Sequence, residues 1–516
     1  MDKFRSATTT PKGTGRRIRR RVTILALSAA GAIGLIGPAS AHAIALSDLQ
    51  AEPAAPPDGN LLAGQNTDYE INLAFDAEHV QNLRIGLPPG VVGDPGTTVK
   101  CTPTELQADA CPAESQVGET SVNATVTVVL VPVTLDIQGV LYNLEPQPGE
   151  PARFGIVLTP VSVPPLPAVL PPVILESAVE LRQTDFGLDT VIENIPNTTE
   201  GLPTHINEMH VTLYGDPPGG TKPFIRNPTS CTPKAATFTA DSYEAPGTDV
   251  TGTAPSFAAT GCETLEFSPS FSARAGGPGA TELGQKTPVS TTISQDDGEA
   301  GLKDAFVQLP AQFGPDIARL GQSCEPADFA ARTCDPSTVL GPAVATSPLL
   351  TEPLTGNVHL VTNPGDLPKI GVDLTGQLSM QVFGALSLTN AVTFFGLPDI
   401  PISTFTLSFN GGPDGLVLVN ARGLCDGPPP TLGTNFLGHN GATVTATTAA
   451  TIEGCGSTAG KAKKKKKKKC KKAKKRKKKK KGKGASAAAK KKKKKTKKKK
   501  CKKKKKKKRK KGEKRR

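Results

Sequence analysis

The chain of 516 residues has no Trp, 4 Tyr and 3 Met, so any core must be built from aliphatic side chains and its 18 Phe. Sugar sites commonly stack rings on exposed aromatics, and few residues here can supply that surface. Six His are present, and neither a Gly-x-Ser-x-Gly elbow nor a His-Glu-x-x-His helix occurs, which removes the two hydrolase classes those motifs define. Past residue 43 no apolar run approaches the roughly 20 residues a spanning helix needs, so the mature chain is expected to be exported and soluble. No Leu-Pro-x-Thr-Gly sorting signal precedes the C terminus. Positive charge is scarce in the middle of the chain and crowded at its ends. Of 64 Lys and Arg, 42 lie in residues 461–516 beside the single carboxylate Glu513, and 8 lie in residues 1–43 beside Asp2, leaving 14 against 44 carboxylates between.

A like-charge run as long as Lys461 to Arg516 repels itself and cannot bury apolar surface, so it reads as a disordered arm that binds polyanions. The other end reads as a secretory leader. Arg16 to Arg21 is basic, Val22 to Gly37 is apolar, and Pro38-Ala39-Ser40-Ala41-His42-Ala43 alternates small residues, placing cleavage after Ala41 or Ala43. Retention of the leader as an anchor is the alternative, and its apolar stretch is short for that role.

Export suits the cysteines. Cys101, Cys111, Cys231, Cys262, Cys324, Cys334, Cys425 and Cys455 lie in the body, with Cys470 and Cys501 in the tail, where they could link tails between molecules. Spacing pairs Cys101 with Cys111 and Cys324 with Cys334, then Cys231 with Cys262 and Cys425 with Cys455. Structural zinc is the other use of regular cysteines, but paired ligands stand closer together and no His flanks these. The pattern occurs twice. Leu87-Pro88 and Val117-Gly118 around the first short pair match Leu309-Pro310 and Leu340-Gly341 around the second, and each short pair opens a Cys-x-Pro turn. Pro148 to Gly155 is mirrored by Pro364 to Gly371, which aligns Arg153 with Lys369. An internal duplication follows, with about 29 extra residues in the first copy and the Pro-rich Thr159 to Pro172 inside them as a loop.

Period-two alternation at Tyr69 to Phe75 and Phe405 to Phe409, and β-branched runs at Val122 to Ile137, His210 to Tyr214, Leu416 to Val419 and Thr443 to Thr451, read as strands. Gly-rich turns separate them, and no helical period is evident. The fold class expected is all-β: tandem disulfide-stapled β-sandwich (Ig-like) domains followed by a disordered polybasic tail. The boundaries are 1–43 for the signal peptide, 44–275 for the first sandwich with its insertion near 159–172, 276–456 for the second, and 457–516 for the tail.

Leu87 to Gly90, Cys101 to Pro112, Pro148 to Gly155 and the closing Asn227-Pro228-Thr229-Ser230-Cys231 give the chain a pattern that resembles exported β-rich repeat proteins of high-GC actinobacteria. In that group a Lys-rich C terminus is frequent. The resemblance spans about Leu61 to Cys455, implies an extracellular β-rich protein, and supplies no activity. The second copy departs from it with Ala421-Arg422-Gly423-Leu424-Cys425.

No catalytic or metal residue and no cofactor is assigned. His205 and His210, five apart, are expected on opposite faces of a strand. Asp185 and Asp189 could be a glycosidase pair but read as solvated surface. Asp296-Asp297-Gly298-Glu299 reads as a turn instead of a calcium loop. Arg153 and Lys369 read as structural ion pairs. The function expected is a non-enzymatic, extracellular cell-envelope protein whose residues 461–516 meet anionic cell-wall polymer or acidic lipid head groups. A carbohydrate binder or hydrolase retained by the tail is one alternative, an extracellular nucleic-acid binder another. Self-association between the acidic body and the basic tail is a further partner reading.

Overall fold

The computed structural model describes residues 44–55, 60–76, 78–159, 161–162 and 169–455. Ala41, Ala43 and the whole Lys-rich tail, with Cys470 and Cys501, lie outside the described residues. The fold is all-β, with two 12-stranded, largely antiparallel sheets. The first runs in the order Leu46–Pro53, Tyr69–Phe75, Leu202–Leu213, Gln116–Val128, Val131–Asn143, Arg153–Leu158, Val173–Leu181, Leu188–Ile192, Val80–Gly86, Thr237–Ser242, Val250–Thr253. The second runs Ser270–Gly276, Val289–Ser294, Thr404–Phe409, Val339–Thr346, Leu354–Val361, Lys369–Thr375, Met380–Ser387, Ala391–Phe394, Leu302–Gln308, Thr431–Gly438, Thr443–Ala449. The order of connection is the same in both, strand for strand. A short accessory pair recurs as well, Val92–Gly93 with Ile225–Arg226 and Phe313–Pro315 with Val417–Val419. The duplicated cysteine spacing therefore marks a duplicated fold. The sheets change over between Thr253 and Ser270, slightly ahead of the 275/276 division read from the repeats.

Each sheet folds back on itself to form a sandwich around an apolar core. In the first, Gly252 on the last strand has no Cβ at the point where Leu49 of the first strand packs. In the second, Thr451–Glu453 pairs with Ser270–Gly276 and only Ala450 separates it from Thr443–Ala449 at the opposite end of the path. The alternation at Tyr69–Phe75 puts Tyr69, Ile71 and Leu73 inside. Burying a side chain of that size contributes roughly 1.5–3 kcal/mol, which lets a core without Trp hold.

The residues that differ from sequence expectation do so for local reasons. Each Cys-x-Pro segment opens a short helix, Pro103–Gln107 and Pro326–Ala330, with proline at a first-turn position where its missing N–H costs nothing. The first is closed by a capping box, Thr102 accepting from the Glu105 amide (3.3 Å) and Glu105 accepting from the Thr102 amide (2.9 Å). Val122 to Ile137 is two strands of a hairpin whose turn is Val129-Leu130, with φ of 46° and 73°. Asn-Gly would occupy that turn without strain; a β-branched residue there is strained. The Pro-rich insertion joins Arg153–Leu158 to Val173–Leu181, where the second copy needs only Gly376 to Ser379, and it carries the small pair Val161–Ser162 and Val169–Leu170.

Candidate functional site

All eight body cysteines are joined in pairs, Cys101–Cys111, Cys231–Cys262, Cys324–Cys334 and Cys425–Cys455. Each short loop presses its helix on the sheet at the same place. Leu106 sits over Gly155 and Phe329 over Gly371, and a Cβ at either glycine would come within about 2.5–2.8 Å of those side chains. This is why Phe154-Gly155 and Ile370-Gly371 recur.

One residue ahead of each glycine pair the two copies diverge. Arg153 pairs with Glu150 (2.5 Å) and Glu176 (2.8 Å), the ion pair its sequence suggested. Lys369 instead lies 5.9 Å from the centre of the Phe383 ring. Phe383 stands opposite Gly371 as Glu176 stands opposite Gly155, so a ring has replaced a carboxylate and a cation–π contact has replaced the ion pair.

Of the acid pair, Asp185 is exposed as read from the sequence, but Asp189 is not solvated surface. Asp189 is buried, and its carboxylate meets Arg84 (2.9 Å) and Arg182, while Arg182 also holds Asp185 (2.9 Å). Burial works against the charged form of Asp185, but Arg182 holds its carboxyl below the ordinary value. Two carboxylates tied to one guanidinium do not present the free carboxyl groups that a glycosidase pair needs. Asp296 to Glu299 is a turn at Gly298, φ +90°, with Glu299 turned inward to accept from the Ser268 amide (3.1 Å). Among the described residues no three His, Cys, Asp or Glu are grouped to hold a metal.

His205 and His210 share a face, contrary to the five-residue count. The register slips between Ile206 and Glu208, so Asn207 is the extra residue of a β-bulge, and both histidines stand opposite outward residues, Thr125 and Ser121. They remain separate: His205 contacts the Asp76 carbonyl oxygen and packs its ring 5.5 Å from His79, whereas His210 contacts the Asn72 side chain. His210, Asn72, Gln50, Asn123, Asp136 and Glu208 line an open, polar cleft of about 780 Å³ on this outer face. Asn72 donates to Gln50 (2.9 Å) and Asn123 to Asp136 (2.6 Å) across neighbouring strands.

The closing Asn227 to Cys231 segment holds the copies together. Thr229 is buried; its amide (2.9 Å) and hydroxyl both donate to Asp399 of the second copy, and its hydroxyl accepts from the Gly301 amide (3.0 Å). Gly90 and Gly301 make room, since a Cβ on either would lie 2.7 Å from the Asp399 carboxylate. Arg226 reaches across to the Glu299 carbonyl (3.0 Å), and burial pushes its guanidinium below its usual value despite nearby Asp399. The clasp is made by Thr229, whereas Asn227 stays within the first copy, accepting from the Thr67 hydroxyl (3.1 Å) and donating to the Leu62 carbonyl (3.2 Å).

A second concavity lies mainly within the second sandwich, with Val92, Leu181, Phe186 and Leu188 of the first copy closing one side. It measures about 640 Å³ and is lined almost wholly by aliphatic and Phe side chains, with no ionisable group among them. The interior of the first sandwich is packed with large side chains such as Tyr69, Phe154 and Phe238.

The chain matches no protein-family model and no curated protein. Among solved structures it is similar at 9% identity to a Corynebacterium diphtheriae protein described as membrane anchored, over 79% of this chain and 95% of that one, with a TM-score of 0.17. The C-terminal domain of the Streptococcus agalactiae AgI/II polypeptide BspA is similar at 9% identity over 77% of this chain and 98% of that one, TM-score 0.17. Likeness at this level carries nothing across to this chain.

Proposed function

We propose that the protein is an exported, non-enzymatic component of the cell envelope, held to anionic wall polymer by residues 461–516. The observation that carries this reading is the partition of charge, 42 basic residues in the tail against a body with 44 carboxylates and 14 basic residues. The structure deepens the imbalance, because Arg84, Arg153, Arg182, Lys286 and Arg332 are engaged in ion pairs within the body. The remaining exposed cations, such as Lys222, Arg274, Lys303 and Lys369, are scattered among an excess of carboxylates, so attraction to a polyanion rests on the tail. Near an anionic surface each basic residue contributes up to about 1 kcal/mol, screened by salt. Four disulfides in the body are in keeping with an oxidising, extracellular setting. Binding of the full chain and of a version ending at Gly460 to purified wall polymer, across a salt series, tests the reading. Tail-dependent binding that salt abolishes is expected; equal binding by both versions would overturn it.

A second reading, a carbohydrate-binding surface protein, is favoured by one feature, the amide- and carboxylate-lined cleft around Asn72, Asn123, Asp136 and His210. Glycan-array binding lost in an Asn123→Ala, Asp136→Ala variant is its expected signature, and binding that survives both changes would remove it.

A further inference from the structure

We infer that the second sandwich is a binding site for one long hydrocarbon chain, supplied by a free fatty acid or by the acyl tail of a lipid. The two copies share a strand order, so equivalent inward positions can be compared. Val289 faces Phe409 as Tyr69 faces Leu213, and Thr291 faces Leu407 as Ile71 faces Val211. Counting back from Leu309-Pro310 and Leu87-Pro88, Ala305 stands for Leu83; Ile370 stands for Phe154 in the duplicated Gly segment. At each of these four positions the second copy has the smaller or less apolar side chain, and all four line the cavity. Phe405 and Phe409, where the first copy has Met209 and Leu213, only partly refill it. Inward residues that are buried in the first copy, such as Leu213, have half-exposed counterparts in the second, such as Phe409.

An apolar interior void loses dispersion contacts along its whole wall, and the cost grows with its volume. Water is a poor occupant, because the few polar groups are already used: Ser347 donates to the Pro401 carbonyl (2.7 Å), Thr346 bonds Thr404 (2.6 Å), and Asn390 donates to the Phe313 carbonyl (2.8 Å). A peptide segment is excluded by the same fact, since its N–H and C=O groups would find no partners. A charged ligand would meet no counter-charge. What fits is a neutral, flexible hydrocarbon body, in a volume within the usual range of roughly 300–1,000 Å³ for small-molecule sites. Ile317 and Leu388 line the cavity yet are 73% and 91% exposed, which places its opening at their end and leaves a polar head group in solvent.

The test uses the full chain. Cis-parinaric acid, a fluorescent long-chain fatty acid, is titrated against wild type, Ala305→Leu and the double variant Val289→Tyr, Thr291→Ile, which restore first-copy residues. Saturable uptake by wild type, weakened about tenfold or more in folded variants of unchanged or higher melting temperature, is expected. Ala305→Leu keeps the test open should the double variant misfold. Vesicles of phosphatidylcholine bearing a pyrene-labelled acyl chain distinguish the source: transfer to the protein assigns a lipid tail, uptake of free acid alone assigns a fatty acid. Native mass spectrometry reads any co-purified adduct. No uptake of either probe together with no adduct, or uptake indifferent to the filling substitutions, overturns the inference.

Discussion

Replacing Thr229 by Val should uncouple the two copies. The change keeps shape but deletes a hydroxyl that donates to the buried Asp399 and accepts from Gly301. A hydrogen bond to a charged group is worth about 1.5–3 kcal/mol, and a buried amide left without a partner costs about 1–3 kcal/mol. The Thr229 amide still bonds Asp399 (2.9 Å), so a net loss of about 3 kcal/mol is the reasonable figure. With a urea m-value of about 3 kcal/mol/M, the affected transition moves by about 1 M. The chain supplies its own assay, for Tyr69, Tyr142, Tyr214 and Tyr243 all lie in the first copy and there is no Trp. Tyrosine fluorescence therefore reports the first copy, whereas far-UV circular dichroism reports both. Coincident transitions in wild type and separated ones in Thr229→Val are expected. Coincidence in both, with midpoints unchanged, would refute the clasp.

Other consequences are as direct. Cys101→Ser with Cys111→Ser should cost about 3 kcal/mol in the chain-entropy treatment of a loop of this size, read from the tyrosine transition. Gly371→Val should lower the stability of the second copy by about 2 kcal/mol or more, because its side chain would collide with Phe329; dichroism against urea checks it. Val129→Asn with Leu130→Gly should raise stability by about 1–2 kcal/mol by relieving a left-handed turn, seen as a higher tyrosine midpoint. Burial opposes the charge on Glu150, but Arg153 holds its carboxyl below the ordinary 4.5. The folded value being depressed, this stabilisation is complete above pH 4.5 and is lost as pH falls through the folded value. Urea midpoints across that window should fall less steeply in Arg153→Met.

The duplication was legible because it is written in residues with few substitutes. Cysteines must meet, and Gly155 and Gly371 must admit Leu106 and Phe329, so their spacing survives where other positions drift. Strand alternation was legible for the same steric reason. The bulge at Asn207 was not, since a one-residue slip has no composition of its own, and it reversed the reading of His205 and His210. Thr229 and Asp399 meet across 170 positions with no periodic cue, though a closing segment confined to one copy hinted at a task only that copy performs. The hollow interior was hidden as well. Val289, Thr291 and Ala305 fit a strand as well as Tyr69, Ile71 and Leu83, and only the register reveals the missing volume.

The most direct measurement of the central claim is fractionation of producing cells that carry either the full chain or one ending at Gly460, with stepwise salt washes. Retention of the full chain alone on the envelope, released by rising salt, is predicted. Equal appearance of both versions in the medium would contradict electrostatic anchoring by the tail.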